Sequence, residues 1–403
     1  MMLKKNMEML HDYDDVFDLV LAQAKQVQRT ETVSLSALSG RVLAEMVCSP
    51  IALPTLAISA MDGYGFSTQS SKTLLPIVDT IYAGRVDLSQ GISSRKAVKI
   101  MTGAVIPEGV DCVVPQERAL LQQGDTEPLL IKPDNAIGGQ HIKAVGSDIQ
   151  LGECLLKKGH LIRSQDIALL ASVGINKVEV FEEINVVILV SGDELVAPGQ
   201  PLNPGQIYDA NSWLIGDLVK PLPVNLMAVE SLPDEPERVN EALKNWGSLA
   251  DIVITIGGAS VGEKDAIKTV LGSLKQSWSW KLNMKPAKPF SMGMLEQAVL
   301  LALPGNPLAA FMSFQLFAKA FIQKSAGLLK WQNRSQTLPL AEAYLVNGHK
   351  TQWLQVNQTL KGLFPIENGS SSQLSKLVES DGYIRIKPEH TYPKGTLVEF
   401  WSY

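Results

Sequence analysis

The spacing of apolar and polar positions divides the chain into regions of different period. Near the start, Asp14 and Asp15 precede Val16, Leu19, Val20 and Val27. That spacing is close to the helical repeat and puts carboxylates at the positive end of the helix dipole, which predicts a helix. Residues 32–35 and 41–47 read as short strands around a turn at Ser39-Gly40. From Pro50 to about Gly139 the rhythm changes. Apolar runs at 74–82, 97–101, 111–115 and 129–131 are separated by glycine and proline, as in a small β-barrel or sandwich. Residues 142–162 are again extended, after which Ser164, Gln165 and Asp166 cap an apolar helix, 167–173, that Gly174 stops. Because this helix follows the β-rich stretch so closely, 49–140 reads as an inserted β-rich domain. Its flanks, 1–48 and 141–182, would pack together as one discontinuous N-terminal α+β domain.

From Asn185 onward strand and helix patterns alternate: a strand at 186–190, a helix from Asn211, a strand at 224–229, a helix at 236–245 and a strand at 252–256. Alternation of this kind predicts parallel strands joined by crossover helices, hence a doubly wound α/β domain over 183–328. A hairpin is expected over 289–303 with Gly293 at its turn. Pro304-Gly305-Asn306-Pro307 then opens a long apolar helix, 308–323, whose Phe311, Phe314, Leu316 and Phe317 belong in the core. The remainder, 329–403, is strand-like and predicts a small C-terminal β-barrel.

Composition narrows the function classes. With 45% hydrophobic and 19% charged residues and a formal net charge of −5, the 403-residue chain is of the soluble globular type. It has no basic stripe for nucleic acid and no apolar stretch long enough for a membrane. Lys4 and Lys5 are followed by no apolar core, so no secretory leader is expected. Three widely separated cysteines, Cys48, Cys112 and Cys154, fit reduced thiols in the cytoplasm better than a disulfide framework. Five scattered histidines, with no CxxC or HxxxH pairing, give no zinc site.

The candidate chemistry centres on the strand that ends at Gly257-Gly258 and continues through Ala259, Ser260, Val261, Gly262, Glu263 and Lys264 to Asp265. Paired glycines at the carboxyl end of a parallel strand let backbone approach a ligand and present amides to an anion. Loops 191–194, 257–265 and 304–307 should meet at that edge. They carry the carboxylates Asp193, Glu194 and Asp265 and the hydroxyls of Ser191 and Ser260, while Lys281, Lys285 and Lys288 precede the hairpin. Carboxylates suit a divalent cation and lysines a phosphate or oxyanion, so a phosphate-bearing ligand held with magnesium would use both. The glycine loop lacks the Gly-Lys-Ser/Thr ending of a P-loop, and no strand is followed by GxGxxG, which speaks against a dinucleotide enzyme.

Six strings together are more specific than any one. Ser-Ala-Met-Asp-Gly-Tyr (59–64), Met-Thr-Gly-Ala (101–104) with Pro-Glu-Gly (107–109), and Gly-Asp-Glu-Leu (192–195) come first. Gly-Gly-Ala-Ser-Val-Gly-Glu-Lys-Asp (257–265), Met-Lys-Pro-Ala-Lys-Pro (284–289) and Leu-Pro-Gly-Asn-Pro (303–307) follow. In this order and spacing the chain resembles the MoeA family of molybdopterin molybdenumtransferases over nearly its whole length. The resemblance implies a four-domain, L-shaped subunit with a MogA-like α/β domain, working as an elongated homodimer. It implies insertion of molybdenum from molybdate into the dithiolene of adenylylated molybdopterin with release of AMP, and contact with the molybdopterin adenylyltransferase. It places the cleft between the α/β domain of one subunit and the β-rich module of the other.

Carried over residue by residue, the resemblance makes Asp62, Thr102 and Asp148 the contribution of the β-rich half. Glu194, Asp234 and Asp265 become the acidic groups of the α/β domain. Lys281 and Lys285 match its cleft lysines, with Lys288 a further substrate-binding candidate, and Pro304 and Pro307 shape the turn beside the pterin, Gly305 and Asn306 lying between them. Lys143, Ser191, Gly257, Gly258, Ser260 and Gly262 complete the implied substrate-binding set; Asp62, Glu194 and Asp265 are the implied magnesium ligands. A serine loop at 370–372 is brought in from the last domain. Four positions depart from the family pattern: Lys143 replaces arginine, Ser191 threonine, Ile256 a small polar residue and Ala287 glycine. Alanine resists the positive φ that glycine allows. Those departures keep open a non-catalytic molybdopterin-binding or scaffold protein. A pterin adenylyltransferase-type relative shares only the α/β domain, and the strings before residue 183 weigh against it.

Overall fold

The computed structural model describes residues 9–84, 91–257, 266–331, 335–346, 348–366, 374–388 and 391–403. The chain forms two compact units, each assembled from separated segments. One comprises Met1–Glu45, Lys158–Arg163 and Glu179–Tyr403; the other comprises Met46–Lys157 and Ser164–Val178.

The first unit is built on a seven-stranded sheet. Val224–Leu232, Ile184–Ser191, Ile252–Ile256 and Val299–Leu303 lie side by side and parallel. Pro289–Met294 follows antiparallel, then Ser277–Leu282, and Leu10–His11 closes the far edge. Ile252–Ile256 is buried along its whole length, and Ile184–Ser191 nearly so, as strands covered by helices on both faces must be. Ile188, Ile254 and Leu301 pack on one side with Phe311, Phe314 and Phe317. On the other, Val187, Leu189 and Val253 meet Leu243, Ile267 and Leu271. Val224–Leu232, at the edge, alternates between more and less exposed positions with period two.

Two local expectations are corrected here. Gly293 is not at the hairpin turn: it lies within Pro289–Met294, opposite Leu300 and Ser277, and the chain reverses through residues 295–298. Its missing side chain has a packing reason, since a Cβ there would stand 2.5 Å from Leu274 Cδ1. The long apolar helix is interrupted. Helix Pro307–Ser313 passes into a π-helical turn, Phe314–Ala318, and resumes as Lys319–Ser325, with its four named apolar residues all buried. The last region forms a second sheet around Thr351–Thr359, Gly382–Ile386, Leu397–Ser402 and Gln336–Pro339, which Met284–Lys285 joins in parallel through Thr351 and Gln352.

The second unit contains a six-stranded sheet in the order Cys112–Pro115, Gly63–Phe66, Ala97–Ile100, Leu74–Ile81, Leu129–Ile131 and Leu120–Gln122. Asp62-Gly63, which alone reads as a turn, is the entry to a fully buried strand, where Gly63 leaves room for the carbonyl of Val114. No helix among the described residues is long and apolar enough to cross a membrane.

Candidate functional site

In the first unit the sheet topology collects the candidate residues on one edge. Ser191 ends one parallel strand, Gly257 follows the next and Pro304 the third. The last strand before the hairpin runs parallel to these, so Lys281 near its end, and Lys288 just before the antiparallel Pro289–Met294, reach the same edge. Asp234 lies just past the end of Val224–Leu232. The edge is therefore polarised, with Asp234, Asp193 and Glu194 toward one side, glycine backbone in the middle and lysines toward the other. Three strand spacings separate Ile184–Ser191 from Pro289–Met294, about 14 Å at roughly 4.8 Å per step.

The middle is glycine for steric reasons. Gly257 has φ 95°, and a Cβ there would stand 2.7 Å from the Ser191 carbonyl oxygen. A Cβ on Gly305 would come within 3.3 Å of the Gly257 Cα. Asn211, at the start of helix Asn211–Val219, donates from Nδ2 to the Gly305 carbonyl at 2.7 Å and fixes the turn from the side. Pro307 then occupies the first helical turn, where a missing N–H costs nothing. Gly258, Ser260, Gly262 and Asp265 fall outside the described residues, as do residues 370–372.

On the acidic side the Asp193 carboxylate accepts from the Asp234 backbone N–H at 3.0 Å. Burial of its carboxyl pushes the Asp234 pKa up, with the nearby Ser191 hydroxyl opposing the rise and the charges of Asp193 and Glu194 adding to it. On the basic side the proximity of Lys350, partial desolvation and Lys281 together lower the pKa of Lys288. Lys350 and Lys281 are the cations that face Lys288, a grouping of like charge suited to an anion. Lys350 is the residue the sequence reading missed. It precedes Thr351, whose N–H donates to the Asn283 carbonyl at 3.1 Å, and only that long-range pairing brings it to the cluster. Ala287 lies between the lysines, buried, at φ 61°. The backbone conformation that favours glycine is thus kept without glycine.

The second unit gathers its own set. The Asp62 carboxylate accepts from the Thr102 backbone N–H at 2.7 Å and from the Thr102 hydroxyl at 2.6 Å. Those two bonds, with Lys99 contributing, hold Asp62 below the ordinary aspartate value. Ser59 is bonded through its backbone to Gly103 and Ala104, and Ala60 to His141. Lys143 pairs with Ile58, and the Asp148 N–H donates to the Leu53 carbonyl at 3.0 Å. Asp62, Thr102, Lys143 and Asp148 therefore belong to neighbouring segments laced by backbone bonds. His141 was not foreseen either: it stands at φ 56°, rare for a residue with a Cβ, and its Nε2 is buried without a hydrogen-bond partner.

No three histidine, cysteine, aspartate or glutamate side chains among the described residues converge on a metal-sized point. A cavity of about 300 Å³ opens at the opposite edge of the sheet, beside Ile184, Ile252 and Val299, and none of the candidate site residues lines it.

Residues 11–174 match the MoeA N-terminal region (domain I and II), residues 187–324 a probable molybdopterin binding domain, and residues 337–403 the MoeA C-terminal region (domain IV). A molybdopterin molybdenumtransferase from Haemophilus influenzae is 37% identical over 323 residues, 79% of this chain and 78% of that protein. The chain belongs to the molybdopterin molybdenumtransferase family. Another member, from Nostoc, is 34% identical over 332 residues, covering 79% of this chain and 74% of its own length. The crystal structure of a molybdopterin biosynthesis MoeA protein from Pyrococcus horikoshii superposes with a TM-score of 0.83 at 26% identity, over 98% of this chain and all of that one.

Proposed function

We propose that this protein is a molybdopterin molybdenumtransferase that inserts molybdenum from molybdate into the dithiolene of adenylylated molybdopterin with release of AMP. The observation that carries the reading is the polarised sheet edge, acidic at Asp193, Glu194 and Asp234 and basic at Lys281, Lys288 and Lys350, with bare glycine backbone between. The stretch from the end of the Ser191 strand to the start of the strand after Lys288, about 14 Å, suits an elongated ligand with separate anionic groups. The lysines bind oxyanion, molybdate at one end and phosphate along the ligand, while Gly257 and Gly305 allow the pterin side close to the backbone.

Asp62 stays ionised well into acid because Thr102 bonds its charged form, so it orients or activates water rather than donating a proton. Asp234, raised by burial, is the group better placed to hold a proton for the departing phosphate. Magnesium, when bound, would neutralise phosphate charge; it usually takes one or two carboxylates plus substrate oxygens. Glu194 fits that need, with Asp62 and Asp265 as further candidates. We further propose four domains, 1–48 with 141–182, 49–140, 183–328 and 329–403. The active form is a cytoplasmic homodimer in which Asp62, Thr102, Lys143 and Asp148 of one subunit complete the α/β edge of the other.

AMP release from adenylylated molybdopterin, measured with magnesium and with or without molybdate, tests the reaction. Molybdate-dependent release with active cofactor is expected. Tight binding without release would replace the enzyme by a non-catalytic molybdopterin-binding protein. Asp62→Ala should lower turnover at least about 100-fold while leaving the circular-dichroism spectrum unchanged. Mixing Asp62→Ala with Lys288→Ala subunits should restore about a quarter of the activity if the cleft is shared across a two-fold dimer.

A further inference from the structure

The short ladder through which the chain enters and leaves the second unit carries a pair of thiols. Val47–Cys48 runs antiparallel to Cys154–Leu156, with Cys48 directly opposite Cys154. The Ser49 N–H donates to the Glu153 carbonyl at 2.8 Å, a bond from the residue after one cysteine to the residue before the other. That pattern marks the cysteines as a non-hydrogen-bonded pair, the type in which opposite Cα atoms are closest, about 4.5 Å apart. A disulfide spans Cα separations of about 4.4–6.8 Å, so this register meets its requirement. Both cysteines are exposed, whereas Val47 and Leu156 point into the unit, so the two thiols share the solvent face of the ladder. The register shift after Cys154 adds local twist, which helps the side chains reach the disulfide dihedral.

We infer that Cys48 and Cys154 form a redox site that closes reversibly into a cross-strand disulfide. The oxidant is a low-molecular-weight disulfide such as glutathione disulfide. One cysteine thiolate attacks it, forming a mixed disulfide and releasing one glutathione thiolate. The second cysteine thiolate then attacks the protein sulfur of that mixed disulfide, forming the Cys48–Cys154 bond and releasing the second glutathione. Two protein thiols are oxidised and one disulfide is reduced to two thiols. The bond joins residues 48–154 into a ring that contains Asp62, Thr102, Lys143 and Asp148. Ring closure stabilises the enclosed β-rich sheet chiefly by restricting its unfolded chain. Cys112 is the internal control: burial and the neighbouring Asp111 charge push its thiol up to about 11, and it faces no other cysteine.

The full chain is incubated with glutathione disulfide, its remaining thiols are alkylated, and it is digested without reduction for mass spectrometry. The expected product is a Cys48–Cys154 linked peptide, with one remaining alkylated cysteine, Cys112. Cys48→Ser and Cys154→Ser, both conservative at exposed positions, should each remove the linked peptide, while Cys112→Ser leaves it. In parallel, limited proteolysis should cut within residues 49–153 several-fold more slowly after oxidation, a difference that Cys48→Ser abolishes. Separate glutathione adducts on the two cysteines with no linked peptide would overturn the inference. So would bonds formed only between two chains.

Discussion

Single residues decide the charge and strain of the candidate edge. Lys288 stands against Lys350 and Lys281, which lower its pKa. A base with a depressed folded value loses its proton more readily in the fold than in the unfolded chain. Stability should therefore be lowest below that folded value and rise as pH climbs through it toward the ordinary lysine value. Lys350→Ala should flatten this alkaline rise and stabilise the protein slightly at neutral pH, the effect being small because these side chains face solvent. The same substitution should raise the KM for molybdate several-fold; urea titrations at neutral and alkaline pH, together with kinetics, check both. Ala287 is a second case. It occupies φ 61°, so Ala287→Gly should change stability by less than about 1 kcal/mol, because relief of strain offsets lost burial and greater chain entropy. Ala287→Val should cost more than about 2 kcal/mol by thermal melting, since a β-branched residue tolerates that conformation poorly.

Elements are set by how closely their neighbours approach. Gly293, inside a strand, lets helix Ala266–Ser273 and Leu274 lie against the sheet, with Leu271 Cδ2 3.1 Å from a would-be Cβ. Gly293→Ala should destabilise the first unit by about 1 kcal/mol in chemical denaturation, because the half-buried tip of Leu274 can give way whereas buried Leu271 has less room. The apolar helix after Pro307 keeps its buried face through the π-helical turn at Phe314–Ala318, which moves Phe317 into stacking with Phe290 at 4.4 Å and tilted contact with Tyr13 at 5.3 Å. Parallel pairing sets the edge itself. Without it, Ser191, Gly257 and Pro304 would not share one end of the sheet.

At the scale of the whole molecule, the first unit is tied together by contacts between distant parts of the chain. Arg385, from Gly382–Ile386, bonds both oxygens of Asp14 at 2.7 and 2.9 Å and lies over the rings of Tyr13 and Trp353. Its side chain is only 13% exposed, and Asp12, 3.9 Å from the same guanidinium, is its second carboxylate partner. Asp14→Ala should therefore cost about 1 kcal/mol, because Asp12 keeps the guanidinium partly paired and Asp14 faces solvent, and should speed hydrogen exchange in helix Tyr13–Ala22 first. At the other edge of the sheet Arg29 pairs in the same bidentate way with Asp251, whose Oδ2 also accepts the Asn185 N–H.

Much of this was legible in the sequence wherever the determining physics is local. Period two and period 3.6 marked the strands and helices of residues 184–325, because side-chain direction repeats with the backbone. Asp14, Asp15 and Gly174 marked helix ends, because orphan amides and positive φ have local remedies. The order of motif strings identified the family, and pointed to Asp62, Glu194, Asp234 and the lysines as the residues to test. What the sequence left undecided is what depends on pairing across long loops. Lys350 joins Lys288 only because Met284–Lys285 pairs with Thr351-Gln352, Cys48 faces Cys154 only through the register of one short ladder, and Gly293 answers to Leu274 rather than to a turn. No local propensity encodes such partners; the burial of both sheets, acting at once over the whole chain, selects them.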